Sequence, residues 1–244
     1  MIAGRDTAKV SNSRIGCTFE HECHKVNIDG TPFDIYDTVG LNVGEQGRVP
    51  HWQAINQLYT LIRTLDGVSL LIYCMRGRIK ENARENWILF SEVLCAKKVP
   101  IIAVETGLEN EEDLQGRRTV LKKALKEYGI VPMDIACVVS VRGKKDEDVE
   151  LYNWSQYQLR HLITRSCLRT PWRTDDWIGQ IYKTTYSTNL CLFSKVKVEF
   201  SKEPGGVVEE FIEKSGMKKD ESEKLKSTLL DAEKGVIKGK NLRH

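Results

Sequence analysis

Three short, unbroken apolar runs set the strongest limit on how this chain can fold: Val68 to Cys74, Val99 to Val104 and Ile135 to Val141. Each has the length of a strand and lacks the polar alternation of a strand that faces water on one side. Strands buried on both faces read this way, and they occur in parallel sheets covered by helices. The segments around the runs supply those helices. From Trp52 onward, Ile55, Leu58, Tyr59 and Ile62 recur at helical spacing. Glu81 to Ala96, Glu111 to Tyr128 and Asp148 to Cys167 follow the same grammar, the last with Leu151, Trp154, Leu159 and Leu162 down one side. Helix and strand in strict alternation predict an α/β fold: a three-layer, doubly wound, mostly parallel sheet.

Ahead of this alternation, Val26 to Ile28 and Phe33 to Tyr36 flank Asp29-Gly30-Thr31-Pro32, a hairpin signal. After Pro171 the pattern changes. Tyr186 to Phe200 alternates like a strand, Pro204-Gly205-Gly206 breaks it, and two short charged helices are expected at Val207 to Ser215 and Asp220 to Lys234. The chain is therefore divided into residues 1–170, the α/β domain, and residues 171–244, a C-terminal extension of short β and helical segments. The net charge of +3 comes from Lys and Arg interleaved with acids, with no basic face for a nucleic acid. No apolar run approaches the roughly 20 residues of a membrane span. The 7 cysteines are odd in number and scattered, which is not a disulfide framework. A reducing, cytoplasmic compartment is expected.

In doubly wound sheets, ligands bind beyond the carboxyl ends of the strands. Three loops qualify, those after Tyr36, Val104 and Val139. The first holds Asp37-Thr38-Val39-Gly40-Leu41, which resembles the D-T-x-G-L motif of P-loop GTPases. The resemblance implies that Asp37 holds Mg²⁺ through a water and that the Gly40 amide meets a γ-phosphate. A hard cation takes oxygen ligands, and only glycine lets the backbone come so close to a phosphate. Upstream, Gly16-Cys17-Thr18 resembles the first switch segment, whose Thr would serve Mg²⁺ and the γ-phosphate. An ordinary strand-edge threonine is the alternative for Thr18. Val104-Glu105-Thr106-Gly107-Leu108-Glu109 resembles a variant of the guanine-specificity motif N/T-K-x-D. Glu109 would then accept two hydrogen bonds from guanine, a charge-assisted pairing that excludes adenine. Alternatively, Glu109 belongs to the acidic start of the next helix, with Glu111, Glu112 and Asp113. Gly107 stands where the motif has a Lys whose stem covers the base. Ser140-Val141-Arg142 occupies the place of the family's S-A-K loop, and Arg142 could cover the base instead.

The resemblance covers about Met1 to Cys167 and is to a fungal branch of the GTPase superfamily, carried also by Ile2-Ala3-Gly4-Arg5 and Tyr73-Cys74-Met75-Arg76-Gly77. Tyr182 to Leu190 resembles that branch's C-terminal extension. It implies a nucleotide site of Thr18, Asp37, Gly40, Thr106, Glu109, Ser140 and Arg142, with Thr18 and Asp37 toward the metal. GTP and Mg²⁺ are the expected ligands of a full-length member, and a protein partner is conceivable through the switch-like loops. No catalytic residue is assigned, because Gln46 is offset from the place after Gly40 where a water-orienting glutamine belongs.

One part of the family pattern has no counterpart. G-x-x-x-x-G-K-[ST], whose amides and Lys cradle the phosphates, occurs nowhere in the 244 residues. Met1 to Arg5 resembles the end of the helix that follows that loop. The sheet is thus expected to be of the GTPase type with its first strand missing. Either the sequence is N-terminally truncated, or it is a degenerate, non-catalytic GTPase acting as a scaffold. Truncation is favoured, because loss of a central strand exposes two apolar edges.

Overall fold

The Asp29-Gly30 pair turns the chain back on itself. Both residues have positive φ, 50° and 87°, the geometry of the two-residue turn whose twist suits a hairpin. Asn27 Oδ1 accepts from the Gly30 amide at 2.9 Å. Strands β1 (Glu22–Ile28) and β2 (Thr31–Asp37) pair antiparallel on either side, with Ile28 opposite Thr31 and Val26 opposite Phe33. A computed structural model describes residues 1–2, 22–38, 51–80, 83–143, 145–173, 182–187, 197–204, 209, 212–213 and 219–241. The chain divides into two compact units that interleave in sequence.

The first unit comprises Met1–Val39, Val68–Trp87 and Lys98–Trp172. The three apolar runs form its sheet: β3 (Leu71–Arg76), β4 (Ile101–Thr106) and β5 (Asp134–Cys137), all parallel, in the order β3-β4-β5. Alternate residues of the central strand serve opposite layers. Ile102 and Val104 pack with Ala136 and Val138 against Leu159, Leu162 and Ile163 of a long helix (Asp146–Ser166). Ala103, Ile135, Cys137 and Val139 pack against Leu114, Leu121 and Leu125 of the preceding helix (Leu114–Glu127). Helices therefore cover both faces, which is why the runs show no polar alternation. Trp87, on the short helix Ala83–Ile88, meets Tyr73 edge to face, with ring centroids 6.1 Å apart. The helix Leu114–Glu127 starts at Asp113, whose side chain accepts from the Gly116 amide at 2.8 Å. It stops at Gly129, whose φ of 70° ends the helical path.

The hairpin was expected beside these strands, with the missing first strand between the Phe33 and Val68 strands. It forms a two-stranded sheet of its own, with no ladder to β3, β4 or β5. Its inward residues Val26 and Ile28, with Phe33 and Ile35, nevertheless join the core that holds Ile102 and Leu162. Burial of apolar side chains is non-directional, so a strand pair can share a core without sharing hydrogen bonds.

Asp134, at the amino end of β5, fastens both helix layers to the sheet. Arg118 Nη2 donates to Asp134 Oδ1 at 2.5 Å and its Nε to the Ile135 carbonyl at 2.8 Å. Arg165 of the other helix donates to the second carboxylate oxygen. Burial works to raise the Asp134 pKa, but the Ile135 amide, Arg118 and Arg165 outweigh it and hold the carboxyl below its ordinary value. A depressed folded-state pKa stabilises the fold above the unfolded-state value and loses that contribution as pH falls through it. The stability difference between the wild type and Asp134→Asn, measured by urea unfolding, is therefore expected to be full at pH 7 and to shrink below about pH 4. A difference that grows on acidification would contradict this.

The second unit comprises Gly40–Gly67, Ile88–Lys97 and Arg173–His244. Numbered in chain order, the helices are α1 (His51–Thr64), α2 (Ala83–Ile88), α3 (Leu114–Glu127), α4 (Asp146–Ser166) and α5 (Lys219–Asn241). Helices α1 and α5 belong to this unit and pack on each other. Leu58, Tyr59, Leu61 and Ile62 form the buried stripe of α1, and Leu225 and Leu229 that of α5. Leu89–Leu94 is a π-helical stretch with Leu89 and Leu94 buried. Strands β6 (Tyr182–Ser187) and β7 (Lys197–Pro204) form an antiparallel pair, and β7 ends at the expected Pro204 break. Of the two short helices expected near the C-terminus, the one at Asp220 to Lys234 falls within the longer α5, and most of 207–215 lies outside the described residues.

Candidate functional site

Parallel register brings the carboxyl ends of β3, β4 and β5 to one rim. Arg76 stands opposite Thr106, and Glu105 opposite Cys137. The ladder continues one residue further, since the Val138 amide donates to the Glu105 carbonyl at 2.9 Å. Thr106 Oγ1 donates to the Met75 carbonyl at 3.3 Å, tying the end of β4 to β3. The Val139 amide donates to Oγ of the buried Ser155 at 3.1 Å, which fixes the path of the chain leaving β5.

On this rim Glu109 and Ser140 meet. Glu109 Oε1 accepts from the Ser140 hydroxyl at 3.0 Å and from the Ser140 amide at 3.3 Å. Burial works to raise the Glu109 pKa, but its own amide, Ser140 and the Val141 amide prevail and hold it below the ordinary carboxylate value. Glu109 is thus ionised at neutral pH. Neither Ser140 bond uses Oε2, and the two oxygens of a carboxylate together offer about four acceptor sites. The alternative role for Glu109, at the start of the next helix, falls to other residues: Asp113 caps α3, and Glu111 Oε1 accepts from the Asp113 amide at 3.4 Å. Arg142 follows on the same loop and is exposed.

Asp37 ends β2 and is exposed. Desolvation and then the negative charge of Asp37 raise the pKa of the Cys74 thiol on β3. Thr18 and Gly40 lie outside the described residues, as does the loop through Gly47. Toward a divalent cation the described residues offer Asp37 from the expected pair. Among them, no cluster of three or more His, Cys, Asp or Glu could hold a metal ion.

Two features of the rim went unread in the sequence. The first is Gly107, with φ of 81°. A Cβ there would lie 2.6 Å from Arg76 Nε and 2.9 Å from Arg76 Cγ, so the Arg76 side chain runs directly across the glycine. The signal available was a charged residue closing an apolar run, followed by Gly77. The second is Glu105, which is 0% exposed just below the rim. Arg117 Nε donates to its Oε2 at 2.8 Å and Arg117 Nη2 to its Oε1. Cys137 Sγ donates to Oε2 at 3.7 Å, and burial together with the Glu105 charge pushes that thiol up to about 12. An acid directly after an apolar run, within the span of a strand, was the signal here.

Comparison of the chain with protein-family models and with curated proteins finds no match. No helix among the described residues is long and apolar enough to cross a membrane.

Proposed function

We propose that the first unit is a guanine-nucleotide-binding domain of the P-loop GTPase type, with its base-recognition end built around Glu109 and no phosphate loop within these 244 residues. The observation that carries this reading is an ionised carboxylate, held through Oε1 by Ser140 on the next strand's loop, at the carboxyl rim of a parallel sheet. Guanine presents two donors side by side, N1–H and the 2-amino group, to such a carboxylate. Adenine presents an acceptor at N1 and no 2-amino group, so it would face the carboxylate with a lone pair. Thr106, Ser140 and Arg142 complete the base end, and Asp37 belongs to the phosphate end. Bound Mg²⁺ would neutralise phosphate charge. Without the loop's amides and Lys, the unit does not hydrolyse GTP.

The missing motif also favours a second reading, a non-catalytic scaffold that binds a protein partner through the loop after β2. An in-frame G-x-x-x-x-G-K-[ST] in the coding sequence ahead of Met1 would decide for the first.

The base end is testable on the chain itself. In an amide NMR titration at millimolar nucleotide, GMP is expected to shift the Glu109, Ser140 and Val141 signals more than AMP does. Glu109→Ala should lower the preference for GMP over AMP by about tenfold to a hundredfold, the worth of hydrogen bonds to a charged group. An equal response to both nucleotides, or shifts confined to other parts of the unit, would overturn the reading.

A further inference from the structure

We infer that Arg76 is the base-covering residue of this site, and that Gly107 is the seat that lets its side chain lie there. The inference rests on the guanine-binding reading and names which residue contacts the face of the base, a role the sequence left to Arg142.

Arg76 is the last residue of β3 and stands opposite Thr106, at the head of the loop that carries Glu109. Its stem crosses Gly107, with Nε, Cγ and Cδ at 2.6, 2.9 and 3.1 Å from where a Cβ would stand. Any side chain at 107 would collide with that stem, and the φ of 81° is itself one that L side chains rarely adopt. The glycine is therefore more than a missing lysine. The volume that a long side chain from β4 would fill is filled by a long side chain from β3.

The guanidinium is also uncommitted. Arg117, Arg118, Arg160 and Arg165 of the same unit all donate to protein oxygens. Arg76 is exposed, and among the described residues its guanidinium makes no hydrogen bond or ion pair. A planar, weakly hydrated cation held by its stem and left open at its head suits the face of an aromatic ring. Purines offer such a face, and the ring's negative π surface attracts the cation. Stacking of this kind is indifferent to which purine is bound. Glu109 chooses guanine and Arg76 adds affinity without choosing.

Titration of the full chain with GMP, AMP and ribose 5-phosphate, read by amide NMR, separates these roles. Arg76→Ala is expected to weaken GMP and AMP alike by about five- to thirtyfold. It should leave the ratio between them unchanged and ribose 5-phosphate unaffected. Arg76→Lys keeps the charge without the plane and should recover only part of the loss. In the wild type, GMP should move the Arg76 Nε–H signal upfield, the mark of a ring lying over it. Equal weakening of ribose 5-phosphate would make Arg76 a phosphate contact and overturn the inference. So would an unchanged GMP affinity in Arg76→Ala, or a loss seen in Arg142→Ala instead. In those cases the Glu109-dependent preference for GMP still stands, whereas absence of GMP binding to the wild type removes the guanine-binding reading and this inference together.

Discussion

GTP titrated into the 244-residue chain is expected to bind weakly and to remain unhydrolysed, while a strand–loop–helix segment carrying G-x-x-x-x-G-K-[ST], supplied ahead of Met1, is expected to tighten binding by about a thousandfold, roughly 4 kcal/mol. The reason is electrostatic. A triphosphate brings several negative charges, and its binding depends on a cradle of backbone amides, a helix N-terminus and a lysine. The residues assigned to the two ends of the site include two acids, Asp37 and Glu109, which repel phosphate unless a cation intervenes. No residue assigned to the site supplies an array of amides. Calorimetric titration of both forms with GTP and ATP in the presence of Mg²⁺, with phosphate release followed in parallel, measures the effect. Tight, guanine-selective binding by the 244-residue chain alone would refute this account of the phosphate end.

Replacing Arg117 by Met is expected to destabilise the first unit by about 3–5 kcal/mol, the usual cost of leaving one member of a buried ion pair behind. Glu105 is wholly buried in β4, between the helix that carries Arg117 and the thiol of Cys137. With the guanidinium gone, its carboxylate keeps, among the described residues, the weak Cys137 donor. It then holds a poorly compensated charge in the core. The Arg117 side chain keeps 31% of its surface exposed, so water reaching the gap draws the expected cost toward the lower end of that range. Urea unfolding followed by circular dichroism reads the change. The double variant Glu105→Leu/Arg117→Met removes charge and partner together and should recover most of the loss. A loss below about 1 kcal/mol in Arg117→Met would show that the pair is solvated like a surface bridge. Because Glu105 precedes Thr106 and Gly107 directly, Arg117→Met should also loosen the rim and weaken the GMP response.

Other features of the site were only partly legible. Glu109 and Ser140 are 31 residues apart in sequence, yet Glu109 lies in the loop beyond one apolar run and Ser140 near the carboxyl end of the next. The rule that loops beyond strand carboxyl ends gather at one rim was enough to select both. Arg76 follows its own run in the same way, but its importance lies in a contact with Gly107 that no spacing announces. Glu105 directly follows its apolar run and reads as the first polar residue of a loop, and its partner sits on a helix whose exposed face looked like ordinary charge patterning.

The sequence by itself determined the parallel strands, the helices that alternate with them and the Asp29-Gly30 hairpin. These rest on local periodicity and turn chemistry, which act over a few residues and do not depend on the rest of the fold. Tertiary structure alone decided the remainder. It left β1 and β2 without a ladder to β3, and it gathered α1 with α5 across most of the chain's length. It also laid Arg76 across Gly107 and buried Glu105 against Arg117. Each of these is a choice among partners distant in sequence, made by apolar area, shape and charge pairing. Such long-range terms favour whichever surfaces fit best in three dimensions, and local pattern carries no record of them.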